Sequence, residues 1–429
     1  MSEQHSIYGE LKWREMIYDS MDGLEELLEK EKVTLYNGFD PTADSLHVGH
    51  LVPMLALARF QRYGHHVIAL AGEGTGMIGD PSGRSDERNL LSAEEAHYNV
   101  EKIKRQLAKF LDFEIKSNPA RIMNNGDWLL DLKLIDFLRD TGKYFTVNSM
   151  MAKDSVKSRL SRESGLSFTE FSYSLLQAYD FYHLFVTENC VLQTGGSDQW
   201  GNITAGCELI RRKTGKNAYG LTYPLVKKKD GTKFGKTAGG AVWLDPERTS
   251  PYKFYQFWLN TDDADVIPFL KYFTFFDRQK IDELEFATRE NPEGRAAQKA
   301  LAVEMTKMMH GETALDKAMQ ASEALFGGEI NGLSAADIKE IFADVPSGVI
   351  AADSMNGEGL PIVNLLSDCG FMKSKGEVKR AIAEGGVYIN NHRVTDVNTS
   401  IRKDQFIEGK YLVLRRGKKN YFLLKTEQE

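Results

Sequence analysis

Apolar positions in the first half of the chain follow two alternating rhythms. Short runs with β-like spacing, residues 33–39 and 67–71, are separated by longer stretches at helical spacing, one opening after His47 and one spanning 92–111. Strands and helices in this order predict an α/β unit, a parallel sheet wrapped by helices. From about Pro251 the β-runs stop, and 293–326 carries Ala300, Val303, Met308 and Leu315 at helical spacing, so a helical second region is expected. Between Gly327 and Gly359, glycine, Pro346 and small polar residues break the apolar pattern, which predicts a linker with a few helical turns. Order then returns: 360–366 and 374–383 read as helices, 386–390 as a strand, and 410–414 and 421–424 as alternating runs. The expected division is 1–245, 246–326, a linker over 327–358, and 359–429.

Composition narrows the class without changing that outline. A chain of 429 residues exceeds what one hydrophobic core supports. Its 42% hydrophobic and 27% charged content is ordinary for globular proteins, and no run approaches the roughly 20 apolar residues that span a bilayer. Met1-Ser2-Glu3-Gln4-His5 lacks the features of a secretory signal, and Cys190, Cys207 and Cys369 lack disulfide or metal-ligand spacing, so a cytoplasmic location is expected. The net charge of −7 is unevenly spread: residues 371–429 hold 13 Lys and Arg against 7 Asp and Glu, a balance of +6, which leaves −13 on the rest. A basic end on an acidic body fits a nucleic-acid partner or a solvated tail.

Candidate chemistry gathers in three places. Tyr36-Asn37-Gly38-Phe39-Asp40-Pro41-Thr42 ends a β-run, and His47-Val48-Gly49-His50 then opens a helix, whose free N–H groups and dipole favour phosphate. The two histidines could donate to phosphate and ribose, form part of a metal site, or be an accidental pair. Lys233-Phe234-Gly235-Lys236-Thr237 has the make-up of a mobile polyphosphate clamp or of a lysine-rich hairpin. In the apolar helical stretch 168–184, Tyr173, Gln177 and Asp180 fall at i, i+4 and i+7, on one face. Such a buried polar stripe serves a ligand or a core hydrogen-bond network. Gln193-Thr194-Gly195-Gly196-Ser197-Asp198-Gln199-Trp200 then reads as a strand end and glycine turn, the form of a ribose crevice.

The histidine and lysine motifs, in this order, resemble the HIGH and KMSKS signatures of class I aminoacyl-tRNA synthetases. Gly38-Phe39-Asp40-Pro41-Thr42-Ala43, Gly79-Asp80-Pro81-Ser82-Gly83, Phe168-Thr169-Glu170-Phe171-Ser172-Tyr173, Gln177-Ala178-Tyr179-Asp180 and Gly195-Gly196-Ser197-Asp198-Gln199-Trp200 closely resemble the tyrosine-specific members. The resemblance implies a Rossmann-like catalytic domain, a helical domain and a small α+β S4-like RNA-binding domain, with L-tyrosine, ATP with Mg²⁺ and tRNA(Tyr) as substrates. It also implies a homodimer with 112–155 at the interface, and no tightly bound cofactor, structural metal or membrane. Tyr36 and Asp180 would meet the tyrosine hydroxyl, and Asp80, Tyr173 and Gln177 its ammonium, with Gln193 in the same pocket. Gly38, Asp40, Gly49, Gly196, Asp198 and Gln199 would contact the nucleotide; Thr42, His47, His50, Lys233, Lys236 and Thr237 would be catalytic, and Arg84 and Arg88 would meet pyrophosphate. Lys375, Lys379 and Arg380 would bind RNA.

Two departures stand out. The loop reads Lys-Phe-Gly-Lys-Thr rather than Lys-Met-Ser-Lys-Ser, and Glu73 sits where the resemblance leads one to expect glycine, facing either the triphosphate or solvent. The rival readings are a tryptophan-specific synthetase, which Tyr36 with Asp180 and the S4-like tail argue against, and an RNA-binding protein on a lapsed synthetase scaffold.

Overall fold

The run at 33–39 becomes the strand around which the first sheet is built. In the computed structural model, residues 6–82, 91–161, 165–229, 234–237, 240–325, 327–330, 332–343, 345–351, 359–417 and 420–427 are described. The chain divides into two compact units, Met1–Thr249 with Trp258–Met309, and Ser250–Phe257 with His310–Glu429.

The first unit holds a six-stranded sheet: β1 (Asp19–Ser20), β2 (Thr34–Phe39), β3 (His66–Ala71), β4 (Arg121–Asn124), β5 (Cys190–Gly196) and β6 (Tyr219–Tyr223). Their spatial order is β1-β6-β5-β2-β3-β4. All neighbours pair in parallel except β1, which is antiparallel to β6. From β2 the chain winds outward through β3 and β4, then returns to lay β5 on the other side of β2. This reversal makes a topological switch point, where strand ends splay and leave a crevice at their carboxyl ends. Leu35, Val67, Ile68 and Leu192 are fully buried, as strands covered on both faces require.

Local signals set the helices that serve the crevice. Ser92 and Glu95 form a reciprocal capping box at the start of Ala93–Leu107. Ser167 caps Phe168–Glu188 by accepting from Glu170 N–H, and Asn189, at φ 52°, ends it in the left-handed region. The His47 motif forms the 3₁₀ turn Val48–His50 ahead of Leu51–Arg62, so Pro53 falls in the first turn, where its missing N–H breaks no bond. The helices expected over 246–326 are present, and the division between the two units runs through them.

In the second unit a five-stranded sheet runs His392–Arg393, Val387–Ile389, Tyr411–Arg416, Asn420–Thr426 and Ser347–Ile350, joined by helices Ile362–Asp368 and Lys375–Ala383. The linker expectation needs correction here. Ser347–Ile350 is a strand, parallel to Asn420–Thr426, and Ala335–Ile341 is a helix capped by Ser334 and Asp337. Ile330, Leu333, Ile338, Ile341 and Phe342 join Val413, Tyr421 and Leu423 in one apolar cluster. Each element is too short to display a period, and the glycines between them mask the apolar content. Residues 352–358 lie outside the described residues. Among those described, no helix is long and apolar enough to cross a membrane.

Candidate active site

The carboxyl ends of β2 and β5 open onto a cavity of about 450 Å³. At one rim His47 Nδ1 accepts the Gly49 N–H at 3.0 Å, and His50 Nδ1 accepts the His47 N–H at 3.2 Å. An imidazole whose Nδ1 accepts carries its proton on Nε2, so each ring is the Nε2–H tautomer. A Cβ on Gly49 would lie 2.7 Å from the His47 ring, so glycine is what lets that ring fold over the turn.

The lysine-rich segment meets this turn directly. Val48 N–H donates to Val242 O at 3.0 Å and Leu244 N–H to Leu46 O at 2.8 Å, while His47 and Trp243 pair as an antiparallel bridge. Gly235, at φ +77°, lies so close that a Cβ would come within 2.8 Å of Val48 Cγ2. Phe234 anchors the loop among Trp258, Phe269 and Phe273, stacked on the last at 5.2 Å. Two motifs far apart in sequence thus form one wall.

Deeper in the cavity, hydrogen bonds link its polar groups in series. Asp180 accepts from Asn125 Nδ2 at 2.9 Å and from Trp128 Nε1 at 2.8 Å. Asn125 Nδ2 also donates to Thr75 Oγ1 at 2.9 Å, and Thr75 donates to Asp40 at 2.8 Å. The other Asp40 oxygen accepts from the Tyr173 hydroxyl at 2.9 Å. A second cluster joins Asp80 to Gln199 at 2.6 Å, and Gln199 to Gln177 at 3.2 Å. Tyr36 pairs in register with Gln193 and packs on Phe181, with ring centroids 5.5 Å apart. The Tyr36 hydroxyl and the amide oxygens of Gln177 and Gln193 are buried without a hydrogen-bond partner among the described residues. Buried polar atoms left unsatisfied are costly, and here they line a cavity a ligand can fill.

Burial governs the charges. It pushes the Asp180 carboxyl up to about 7, against the pull of its Asn125 and Trp128 donors and with a small push from Asp40. It also raises the Tyr36 phenol well above its ordinary value, with nearby Asp180 adding to the shift. Asp198 is raised first by burial and then by Asp80.

Residues 28–327 match the family described as tRNA synthetases class I (W and Y), and residues 337–424 match the Tyrosine–tRNA ligase SYY-like C-terminal domain. The Tyrosine–tRNA ligase of Roseiflexus castenholzii is 58% identical over 420 residues, which cover 98% of this chain and 99% of that protein. That of Geobacillus stearothermophilus is 55% identical over 422 residues, with the same coverage. The chain belongs to the tyrosine–tRNA ligase family. Among solved structures, a C-terminally truncated mitochondrial tyrosyl-tRNA synthetase from Aspergillus nidulans, 32% identical, matches with a TM-score of 0.68 over 74% of this chain and 94% of its own.

Of the residues expected from sequence, Tyr36, Gly38, Asp40, Thr42, His47, Gly49, His50, Asp80, Tyr173, Gln177, Asp180, Gln193, Gly196, Asp198 and Gln199 all line the one cavity. Arg84, Arg88 and Lys233 lie outside the described residues, as do the side chains of Lys236 and Thr237, whose backbone pairs with Gly240–Ala241. Lys375, Lys379 and Arg380 are exposed on their helix in the second unit. Glu73 does not face solvent: it is 7% exposed, accepts from Asn124 Nδ2, and is not among the residues lining the cavity. Sequence reasoning misses Thr75, Asn125 and Trp128. Asn125 stands just past the end of β4, on the side of the sheet where open α/β folds place ligand-binding groups, but nothing periodic marks it.

Proposed function

We propose that the chain joins L-tyrosine to ATP as tyrosyl-adenylate, releases pyrophosphate, and passes the tyrosyl group to the 3′ end of tRNA(Tyr). The observation that carries this reading is the buried, unpartnered Tyr36 hydroxyl at the Asp180 end of the cavity. A substrate phenol there gives Tyr36 its missing partner and donates its own proton to the Asp180 carboxylate. Phenylalanine would leave the buried Tyr36 hydroxyl without a partner and Asp180 with only its Asn125 and Trp128 donors, a general basis for selectivity of which tyrosine-specific synthetases are themselves the standard instance.

At the other end, Asp80, Tyr173 and Gln177 would hold the ammonium, while Asp40, Asp198 and Gln199 take the adenosine and Gly38, Gly49 and Gly196 let it approach the backbone. The tyrosine carboxylate then attacks the α-phosphorus in line; the new O–P bond forms as the bond to the β-phosphate oxygen breaks. His47 and His50, through Nε2–H, and Thr42 would stabilise phosphate charge with Lys233, Lys236 and Thr237, and Arg84 and Arg88 would meet the departing pyrophosphate. Mg²⁺ would enter on the triphosphate oxygens and neutralise part of that charge. In the second step a terminal ribose hydroxyl of the tRNA attacks the tyrosyl carbonyl and AMP leaves. Lys375, Lys379 and Arg380 are proposed RNA contacts. Leu134, Ile135 and Val147, 67%, 71% and 60% exposed, support a homodimer interface within 112–155.

ATP–pyrophosphate exchange tests the reading. Exchange should depend on tyrosine and be far weaker with phenylalanine or tryptophan; equal exchange with phenylalanine would sink it.

A further inference from the structure

Glu73 fits the nucleotide turn least, and its contacts belong to the amino-acid end of the pocket. It begins the short helix Glu73–Ile78, yet it is not among the residues lining the cavity. Its Oε2 accepts from Asn124 Nδ2, and its Oε1 lies 3.4 Å from His97 Nδ1. Donation to Glu73 fixes which way the Asn124 amide faces. The Asn124 oxygen is thereby turned to the backbone, where it accepts the Gly126 N–H at 3.1 Å. The carboxylate also packs on that glycine: a Cβ on Gly126 would lie 3.0 Å from Glu73 Oε2. The turn held in this way carries both donors to Asp180, Asn125 and Trp128.

We propose that Glu73 is a positioning residue for recognition of the tyrosine hydroxyl, clamping Asn124 and Gly126 so that Asn125 and Trp128 hold Asp180 in its receiving orientation. The proposal deepens the tyrosine reading and rests on it. Glycine, the residue expected at this position, has no side chain to make either contact. The carboxylate supports the pocket through Asn124 and Gly126 and acts without touching substrate.

The test uses the full-length chain, with pyrophosphate exchange measured at varied tyrosine, phenylalanine and ATP for Glu73→Ala and Glu73→Gln, alongside thermal melting. Glu73→Ala should raise the KM for tyrosine roughly tenfold, the scale of a single missing hydrogen bond. It should narrow tyrosine-over-phenylalanine discrimination and leave the KM for ATP within about twofold, because Asn124, Gly126 and His97, the clamp's contacts, are none of the groups proposed to meet the phosphates. Glu73→Gln keeps an oxygen that can accept from Asn124 and should restore most of the loss. Should Glu73→Ala fail to fold, Asn124→Ala cuts the same clamp from its other side and should give the same tyrosine-selective effect. Unchanged tyrosine KM and discrimination, or equal rises for tyrosine and ATP, would overturn the proposal even if melting fell. Failure of the activity reading would look different, as wild-type protein without tyrosine-dependent exchange.

Discussion

Asp180 is where amino-acid choice and titration meet. At 2% exposure it is held near 7 by burial, so around neutrality the free protein divides between a protonated and an ionised carboxyl. Only the ionised form accepts fully from a phenol that donates. The kcat/KM for tyrosine is therefore expected to rise with pH through an apparent value near 7, and Asp180→Asn should flatten that rise while lowering tyrosine activation at least tenfold. Stability runs the other way. The folded value lies above the ordinary 3.8, so the contribution is fully present below about 4 and is lost as pH rises through about 7. Melting of the unliganded protein should fall across that window, more for wild type than for Asp180→Asn; parallel melting curves would place the titration elsewhere. The position of Asp180 was legible because i, i+4 and i+7 put it on one helix face with Tyr173 and Gln177. Its donors were not, since Asn125 and Trp128 reach it from the end of β4, across the sheet.

Among the elements, the helix Phe168–Glu188 does most to build the pocket, and its first turn is secured by a feature that the sequence pattern does not reveal. Arg159, on the helix Asp154–Leu160, makes a two-pronged contact with Glu170 at 2.8 and 3.2 Å, and both side chains are only 2% exposed. Glu170 stands one turn before Tyr173. Breaking such a pair strands a buried charge and costs about 3–5 kcal/mol, whereas replacing both partners with apolar groups removes the charges together. Glu170→Ala should accordingly lower the melting temperature sharply and weaken tyrosine binding. Arg159→Met with Glu170→Met should recover most of the stability; a double variant as unstable as the single one would mean that the pair's geometry, not the stranded charge, matters. Long apolar periods told the central strands and helices apart at a glance. They failed for 327–358, where a seven-residue helix and a four-residue strand contribute to the second unit's core without either completing a recognisable repeat.

For the whole molecule, the useful sequence signal is the reversal of charge, −13 over most of the chain against +6 over 371–429. An acidic body repels a polyanion at long range, so the basic end has to supply the attraction, and its strength depends on the salt present. The helix Lys375–Ala383 buries Val378, Ala381 and Ile382 and leaves Lys375, Lys379 and Arg380 exposed, so these cations take no part in the core. Removing a cation that neutralises one phosphate reduces the slope of log affinity against log salt by about 0.9 on a duplex and about 0.7 on a single strand. Replacing all three with alanine should weaken tRNA binding and lower that slope by up to about 2.7 if each meets a duplex phosphate. Thermal melting should be nearly unchanged, and adenylate formation, measured without tRNA, reports on the first step alone. Filter-binding titrations at several salt concentrations distinguish the outcomes. A reduced slope puts these residues on the RNA backbone. Weaker binding at an unchanged slope would assign them to uncharged contacts, and no change in either would make the helix a solvated face and move the RNA site to other cations of the same basic end.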